Sequence, residues 1–361
     1  MFYYLYYCLS EKFSLLNVFQ YITFRAGGAI FTALLISIIF GPYLIKKLKT
    51  LKIEQIIRSD GPKTHFAKSG TPTMGGLLIL TSLVISTLLW ARLDNRFIWI
   101  LILSSIYLGL LGFIDDYLKL VKKHSAGLSV SKKIFYISIL GIIVTAYNFY
   151  NPPNPNYITS VNVPYLKETF LNLGIFYIFL SYFIIVASSN AVNITDGLDG
   201  LAVGSVVFSG LAYMVFAYAS GNIKFSSYLK IIPVSGGGEI SIFLTAMIGA
   251  CLGFLWFNCH PADVFMGDTG SLFLGGSIGI VSILVKQELI LIVVGGIFVV
   301  EALSVLLQVT SFRFRKKRIF KMTPLHHHFE LMHQPEGKIV IRFWIVAIIL
   351  TLLSLSSLKI R

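Results

Sequence analysis

Ten apolar stretches of near-bilayer length run through this chain, and they limit its fold more than any other feature. They fall at about 29–45, 75–91, 97–114, 134–150, 170–187, 201–219, 240–257, 272–285, 289–309 and 339–358, the eighth being short and interrupted by glycine. About twenty apolar residues in a helix cross a bilayer, so the pattern predicts a polytopic bundle. Composition agrees: hydrophobic types make up 56% of the 361 residues and charged types only 13%. A soluble globule of this length needs far more polar surface, and the same numbers exclude a disordered chain. The loops, roughly twenty to thirty residues at most, are too short to build cores of their own. The expectation is one all-α integral membrane domain over residues 1–361, with about ten transmembrane helices.

Charge orients the bundle. Of the Lys and Arg outside the spans, nineteen fall in the 1/2, 3/4 and 9/10 loops, whereas nine lie on the opposite side. Cytoplasmic loops carry the excess of basic residues, so the odd-numbered loops are expected in the cytoplasm and both termini in the periplasm. Orientation is also the simplest account of the net charge of +14. With no soluble module to carry it, nucleic-acid binding has no support. The three cysteines, Cys8, Cys251 and Cys259, suggest neither a disulfide framework nor a zinc site.

The remaining polar residues are distributed unevenly. Six of the eight aspartates sit in three odd-numbered loops, as Asp115–Asp116, Asp196 with Asp199, and Asp263 with Asp268, and all seven histidines lie on the same side. Asp115 and Asp116 end the third span, where a helix terminus already carries partial negative charge, so a cation must compensate them. Lys119 stands at i+4 and i+3 from the pair. A solvated acid pair at the interface is the plainer alternative. In the 5/6 loop, Asn193-Ile194-Thr195-Asp196-Gly197-Leu198-Asp199-Gly200 holds two Asp-Gly steps just ahead of a helix. Helix N-termini suit a phosphate, although Asp196 and Asp199 also fit as helix caps. The 7/8 loop, Asn258 to Ser271, places Asp268 between glycines before another helix. Three acidic loops at one membrane face match the preference of Mg²⁺ for oxygen ligands completed by substrate phosphates.

His326-His327-His328 lies in the last basic loop and lacks the i, i+4 spacing of a zinc site. It fits an anionic substrate, or equally an amphipathic stretch lying among headgroups. Glu301, inside the ninth span, is costly there unless paired, and Arg25 or Arg342 on a neighbouring helix is the expected partner. No phosphate loop, dinucleotide fingerprint or Cys-x-x-Cys is present. Composition and spacing thus lead to a metal-dependent phosphotransferase acting on lipid at a bilayer surface. A secondary transporter is the rival from another class, but such sites usually lie near the midplane, where only Glu301 stands.

The motifs go further. Phe113-Ile114-Asp115-Asp116-Tyr117-x-Lys119, Asn190-Ala191-Val192-Asn193-x-Thr195-Asp196-Gly197-Leu198-Asp199-Gly200, Phe265-Met266-Gly267-Asp268-Thr269-Gly270-Ser271, Pro324-Leu325-His326-His327-His328-Phe329-Glu330 and Thr71-Pro72-Thr73-Met74-Gly75-Gly76 occur in order. From about Gly41 onward the chain resembles the phospho-N-acetylmuramoyl-pentapeptide transferases, within the polyprenyl-phosphate hexosamine-1-phosphate transferase superfamily. Ile194, where leucine is common, is the one departure noted.

The resemblance implies transfer of phospho-MurNAc-pentapeptide from UDP-MurNAc-pentapeptide to undecaprenyl phosphate, giving lipid I and UMP with Mg²⁺ at the cytoplasmic face of a bacterial inner membrane. A sister enzyme moving GlcNAc-1-phosphate is the nearest alternative. By the same resemblance Asp268, Asp115 and Asp116 hold the metal and supply the catalytic acids, one of the pair acting as base or as nucleophile. Lys119 and Lys133 face phosphates. Lys68, Thr73, Asn193, Asp196, Gly197, Asp199, Asn258 and Phe265 line the nucleoside pocket, with Phe265 stacking on uracil. His326, His327 and His328 bound the sugar-phosphate side. A homodimer is compatible with this expectation.

Overall fold

Apolar segments in lipid must satisfy their backbone amides internally, and helices are the direct result. The computed structural model describes residues 1–9, 13–51, 70–122, 127–166 and 168–360. Its helices are α1 (Phe2–Leu9), α2 (Ile22–Thr50), α3 (Gly76–Trp90), α4 (Arg96–Lys122), α5 (Val130–Tyr150), α6 (Phe176–Thr195), α7 (Leu201–Ser220), α8 (Ile223–Leu229), α9 (Ile240–Asn258), α10 (Gly267–Leu284), α11 (Leu291–Val294), α12 (Gly296–Arg315), α13 (Leu325–Glu330) and α14 (Glu336–Ser356). Among the described residues nine helices are long and apolar enough to cross a membrane, and α3 is a shorter apolar tenth.

The ten expected spans are therefore present, with shifted edges. The fifth begins at Phe176 rather than 170, because the apolar run Phe170–Asn172 is a strand, β2. It pairs antiparallel with β1 (Ser160–Asn162), Val161 opposite Leu171. The ninth span is two helices, broken at Gly295 between α11 and α12. The eighth, α10, starts five residues earlier than its apolar stretch, so Asp268 lies in a first helical turn rather than in a loop. The α4 helix continues past Asp115 and Asp116 to Lys122, which places the pair inside the helix. The short apolar helix α1 at the start of the chain lies outside the ten spans.

Buried α10 is the axis of the bundle: it packs against α4 and α6, and more lightly against α3 and α7. Around it α2 runs along α9, and α14 lies on α7. The even-numbered loops meet at one end. Asn95 donates to the Gly236 carbonyl (2.8 Å), Arg96 to Pro152 (2.8 Å), Asn154 to Pro233 (2.8 Å) and Lys286 to Ile158 (3.0 Å). Both termini join this end, through Met1 on the Leu88 carbonyl and Lys359 on Tyr228. Arg25 and Glu239 also meet here as a buried bidentate pair at 2.6 and 2.8 Å. The acidic segments gather at the other end. That both termini share one side agrees with an even number of spans.

Candidate active site

The site begins with a seam between three helices. A Cβ on Gly76 of α3 would strike the Gly270 backbone, and one on Gly112 of α4 would strike the Asp268 carbonyl. Glycine at both positions lets α3 and α4 press main chain against the first turn of α10. Just before α3, residues 72–75 run non-helical and, with Gly76 at the start of the helix, lie beside 265–266: Phe265 N–H donates to the Pro72 carbonyl (2.8 Å), Gly75 N–H to Phe265 (2.8 Å) and Gly76 N–H to Met266 (2.9 Å). Irregular backbone at this depth is tolerated because its amides are paired.

Asp116, buried, closes the seam. Its Oδ1 accepts the Asp268 N–H (3.2 Å), and its Oδ2 accepts the Thr269 N–H (3.0 Å) and hydroxyl (2.8 Å). The carboxylate thereby caps the start of α10, where free amides and a positive dipole end favour it. Asp268 sits in the same favourable turn. Its Oδ1 accepts from the Asn193 amide (2.7 Å), which also donates to Ser271 (2.8 Å).

Between Asp115 and Asp268 lie two ammonium groups. Lys119 Nζ is 2.7 Å from Asp115 Oδ2, 2.8 Å from Asp268 Oδ2 and 3.4 Å from Asp116. Lys133 Nζ, from the first turn of α5, is 3.1 Å from Asp115 and 2.6 Å from Asp268. The other oxygen of Asp115 accepts the Leu128 N–H at 2.6 Å, tying the start of α5 to α4. The i, i+4 position of Lys119 delivers the compensating charge that the adjacent acids require. The three carboxylates place ligand oxygens within 4.8 Å of one another. An all-oxygen set of that size fits Mg²⁺.

Beside this cluster the 196–200 turn joins α6 to α7. Asp196 carries a carboxyl raised well above the ordinary 3.8, through burial first and then the charges of Asp268, Asp116 and Asp199, with Lys119 opposing. Neither aspartate of the turn caps α7: Gly200, with φ +77°, occupies the N-cap. Asp199 instead faces the 259–263 loop, accepting the Ala262 N–H (3.2 Å) and meeting His260 Nδ1 at 3.1 Å. Its own N–H donates to Glu336 at the start of α14 (2.9 Å). Asn258 staples the same two loops, accepting from Gly200 N–H (3.0 Å) and donating to the Val264 carbonyl (2.9 Å). Its amide is thus engaged with backbone on both sides.

The remaining expected residues divide. Thr73 is buried beside Gly267, and Phe265 is half-buried in the strip described above. Lys68 lies outside the described residues. His326 is fully buried against Gly197, whereas His327 pairs with Glu330 (2.6 Å) and His328 accepts from the Lys321 N–H (3.1 Å). The three histidines thus have different surroundings: His326 reaches the Asp196–Gly197 turn with its ring centroid 4.2 Å from that of His327, while His327 and His328 are bonded within their own segment. Glu301 departs from expectation. Arg25 is paired with Glu239 and Arg342 donates to Gln334, while Glu301 accepts the backbone N–H groups of Leu325 (2.7 Å) and His326 (3.2 Å). Unanticipated members are His260 and Glu336, which with Asp199 form a second group of ligand atoms within 4.8 Å. They stand far apart in sequence and share no motif, so no spacing could flag them.

The sequence comparisons bear on this arrangement. Residues 98–286 match the profile described as glycosyl transferase family 4, and residues 68–80 match phospho-N-acetylmuramoyl-pentapeptide-transferase signature 1. The first stretch holds the three carboxylates and the second the approach to α3. Among similar proteins, the phospho-N-acetylmuramoyl-pentapeptide-transferase of Endomicrobium trichonymphae is 56% identical over 361 residues. Those of Citrifermentans bemidjiense and Geobacter sp. are 51% and 50% identical over the same length. In all three cases the alignment covers 100% of both chains. With the conjunction of acids, lysines and glycine seam, this places the chain in the phospho-N-acetylmuramoyl-pentapeptide-transferase family.

Proposed function

We propose that the acid–lysine cluster transfers phospho-MurNAc-pentapeptide from UDP-MurNAc-pentapeptide to undecaprenyl phosphate, forming lipid I and releasing UMP. The supporting observation is the joining of Asp115 and Asp268, from helices far apart in sequence, through the ammonium groups of both Lys119 and Lys133. Such a group can receive one anionic phosphate and present it to another, and phosphoryl transfer needs mainly positioning and charge neutralisation. The basic loops at this end favour the cytoplasmic face of the bacterial inner membrane, where a soluble nucleotide and a lipid phosphate can both reach the cluster.

Each residue then has a task. Asp116, with both oxygens engaged by the first turn of α10, holds that turn in register with α4. Asp115 is the member of the pair that faces the ammonium groups, and so the one placed to take a proton from, or to attack, a phosphate. Lys119 and Lys133 leave their carboxylates for the diphosphate of the donor as it binds. Asn193 keeps Asp268 oriented from the opposite side. Asp268, Asp115 and Asp116 would hold Mg²⁺, which neutralises charge on the diphosphate and on the leaving UMP. Thr73, Asp196, Gly197, Asp199, Asn258 and Phe265, with Lys68, form the nucleoside side, Phe265 offering its ring to uracil. His326 borders the sugar phosphate. In the transfer a lipid phosphate oxygen bonds to the sugar-bearing phosphorus while the bond from that phosphorus to the oxygen of UMP breaks.

Purified protein in detergent with UDP-MurNAc-pentapeptide, undecaprenyl phosphate and Mg²⁺ should release UMP only when all three are present. UMP release with UDP-GlcNAc in place of the muramoyl donor would instead assign the sister activity. No release with either donor would overturn the proposal.

A further inference from the structure

We infer that Glu301 is a positioning residue for this transfer, acting through His326, an inference that rests on the function proposed above. Glu301 lies within the α12 span and is completely buried. A lone carboxylate in such a place is expensive and calls for a compensating task. Its two oxygens accept the first two N–H groups of α13, those of Leu325 and His326. A helix of six residues has little stability of its own, so capping by a charged group decides whether it forms.

The same carboxylate sits 3.3 Å from Nδ1 of the buried His326 ring. On the far side of that ring Nε2 abuts Gly197, where any Cβ would collide with it. The ring is thus wedged between a fixed charge and the main chain of the turn that carries Asp196. Neither ring nitrogen has an aligned hydrogen-bond partner. An unpaired buried nitrogen is costly and marks a group held in place by its surroundings. A carboxylate beside Nδ1 favours the proton on that nitrogen, leaving the Nε2 lone pair toward the turn. Glu301 therefore sets both where the ring stands and which tautomer it presents, from outside the substrate pocket.

The test is a double-substitution cycle with Glu301→Gln, His326→Asn and both together, measured as kcat and KM for each substrate alongside thermal stability. Each single substitution should lower kcat by about ten- to hundredfold, the scale of losing one preorganised charge contact, with KM for UDP-MurNAc-pentapeptide within about twofold. The double variant should be no slower than the slower single, because both remove one function. Glu301→Asp, which keeps the charge but reaches less far, should recover part of the rate. Losses that multiply in the double variant, or wild-type kcat in Glu301→Gln, would overturn the inference. Should Glu301→Gln fail to fold, Glu301→Asp with and without His326→Asn supplies the same cycle. Absence of UMP release by the wild-type protein defeats the proposed function; multiplicative losses in an active protein defeat only the role of Glu301.

Discussion

Lys133 and Asp268 meet at 2.6 Å across the junction of α5 and α10, and the same ammonium reaches Asp115 at 3.1 Å. Two lysines thereby occupy the space among three carboxylates that a divalent cation would otherwise fill. Like charges compete for such a position, so removing one ammonium should ease cation binding while depriving the donor phosphates of a partner.

Lys133→Gln should accordingly show two opposed effects. Turnover should fall by about a hundredfold, as for loss of one preorganised charge contact in a phosphoryl transfer site. The Mg²⁺ concentration giving half-maximal UMP release should fall as well. A rise in that concentration would show that Lys133 helps to organise the cation site rather than competing with it.

Asp268→Asn preserves size and the contact with Asn193 but removes the charge that α10 presents. UMP release should be abolished at every Mg²⁺ concentration while the thermal transition in detergent stays within a few degrees of wild type. Full activity would remove Asp268 from the cation site.

At the opposite end the Arg25–Glu239 pair is buried and bidentate, and Glu239 also accepts the Arg92 N–H at 2.9 Å. Deleting one partner leaves the other charge buried. Glu239→Ala should therefore cost about 3–5 kcal/mol of stability, seen as a lower thermal midpoint in detergent. The activity per folded molecule should hold, because the site lies across the bundle.

Asp196 supplies a pH signature. Its carboxyl is raised above the ordinary 3.8 by burial and by neighbouring acids, so the folded protein holds that proton more tightly than the unfolded chain does. The favourable contribution is complete below about pH 4 and is lost as pH rises toward the native value. In EDTA, Asp196→Asn should gain stability over wild type progressively with rising pH, read as a growing difference in thermal midpoint. A constant difference would mean that Asp196 stays ionised throughout.

Much of this architecture was legible in the sequence. The ten spans follow from solvent alone, since lipid admits only helices of that length, and the shared side of the acids follows from counting spans. Lys119 could be placed by helical spacing. Edges and partners were harder. Phe170–Asn172 opens the fifth apolar stretch yet pairs as a strand with Ser160–Asn162, half-buried at Phe170 and exposed beyond it, so apolar character alone does not mark where the span starts. Polar residues from Asp115 to Lys122 extend α4, since their charges are answered by lysines within reach rather than by a loop. Asp199 looked like a cap and instead ties two loops, and Glu301 found backbone amides where arginines were expected. Those outcomes depend on residues that meet only after the helices pack, and local pattern holds no record of them.

The glycine seam behind Asp268 also limits how far this part of the sequence can drift. The wall there is made of main-chain atoms from three helices, held apart by no side chain that could be exchanged for a smaller or larger one. A side chain gained at Gly76 or Gly112 would have to push the helices apart, and with them the three carboxylates that the first turn of α10 and the end of α4 bring together.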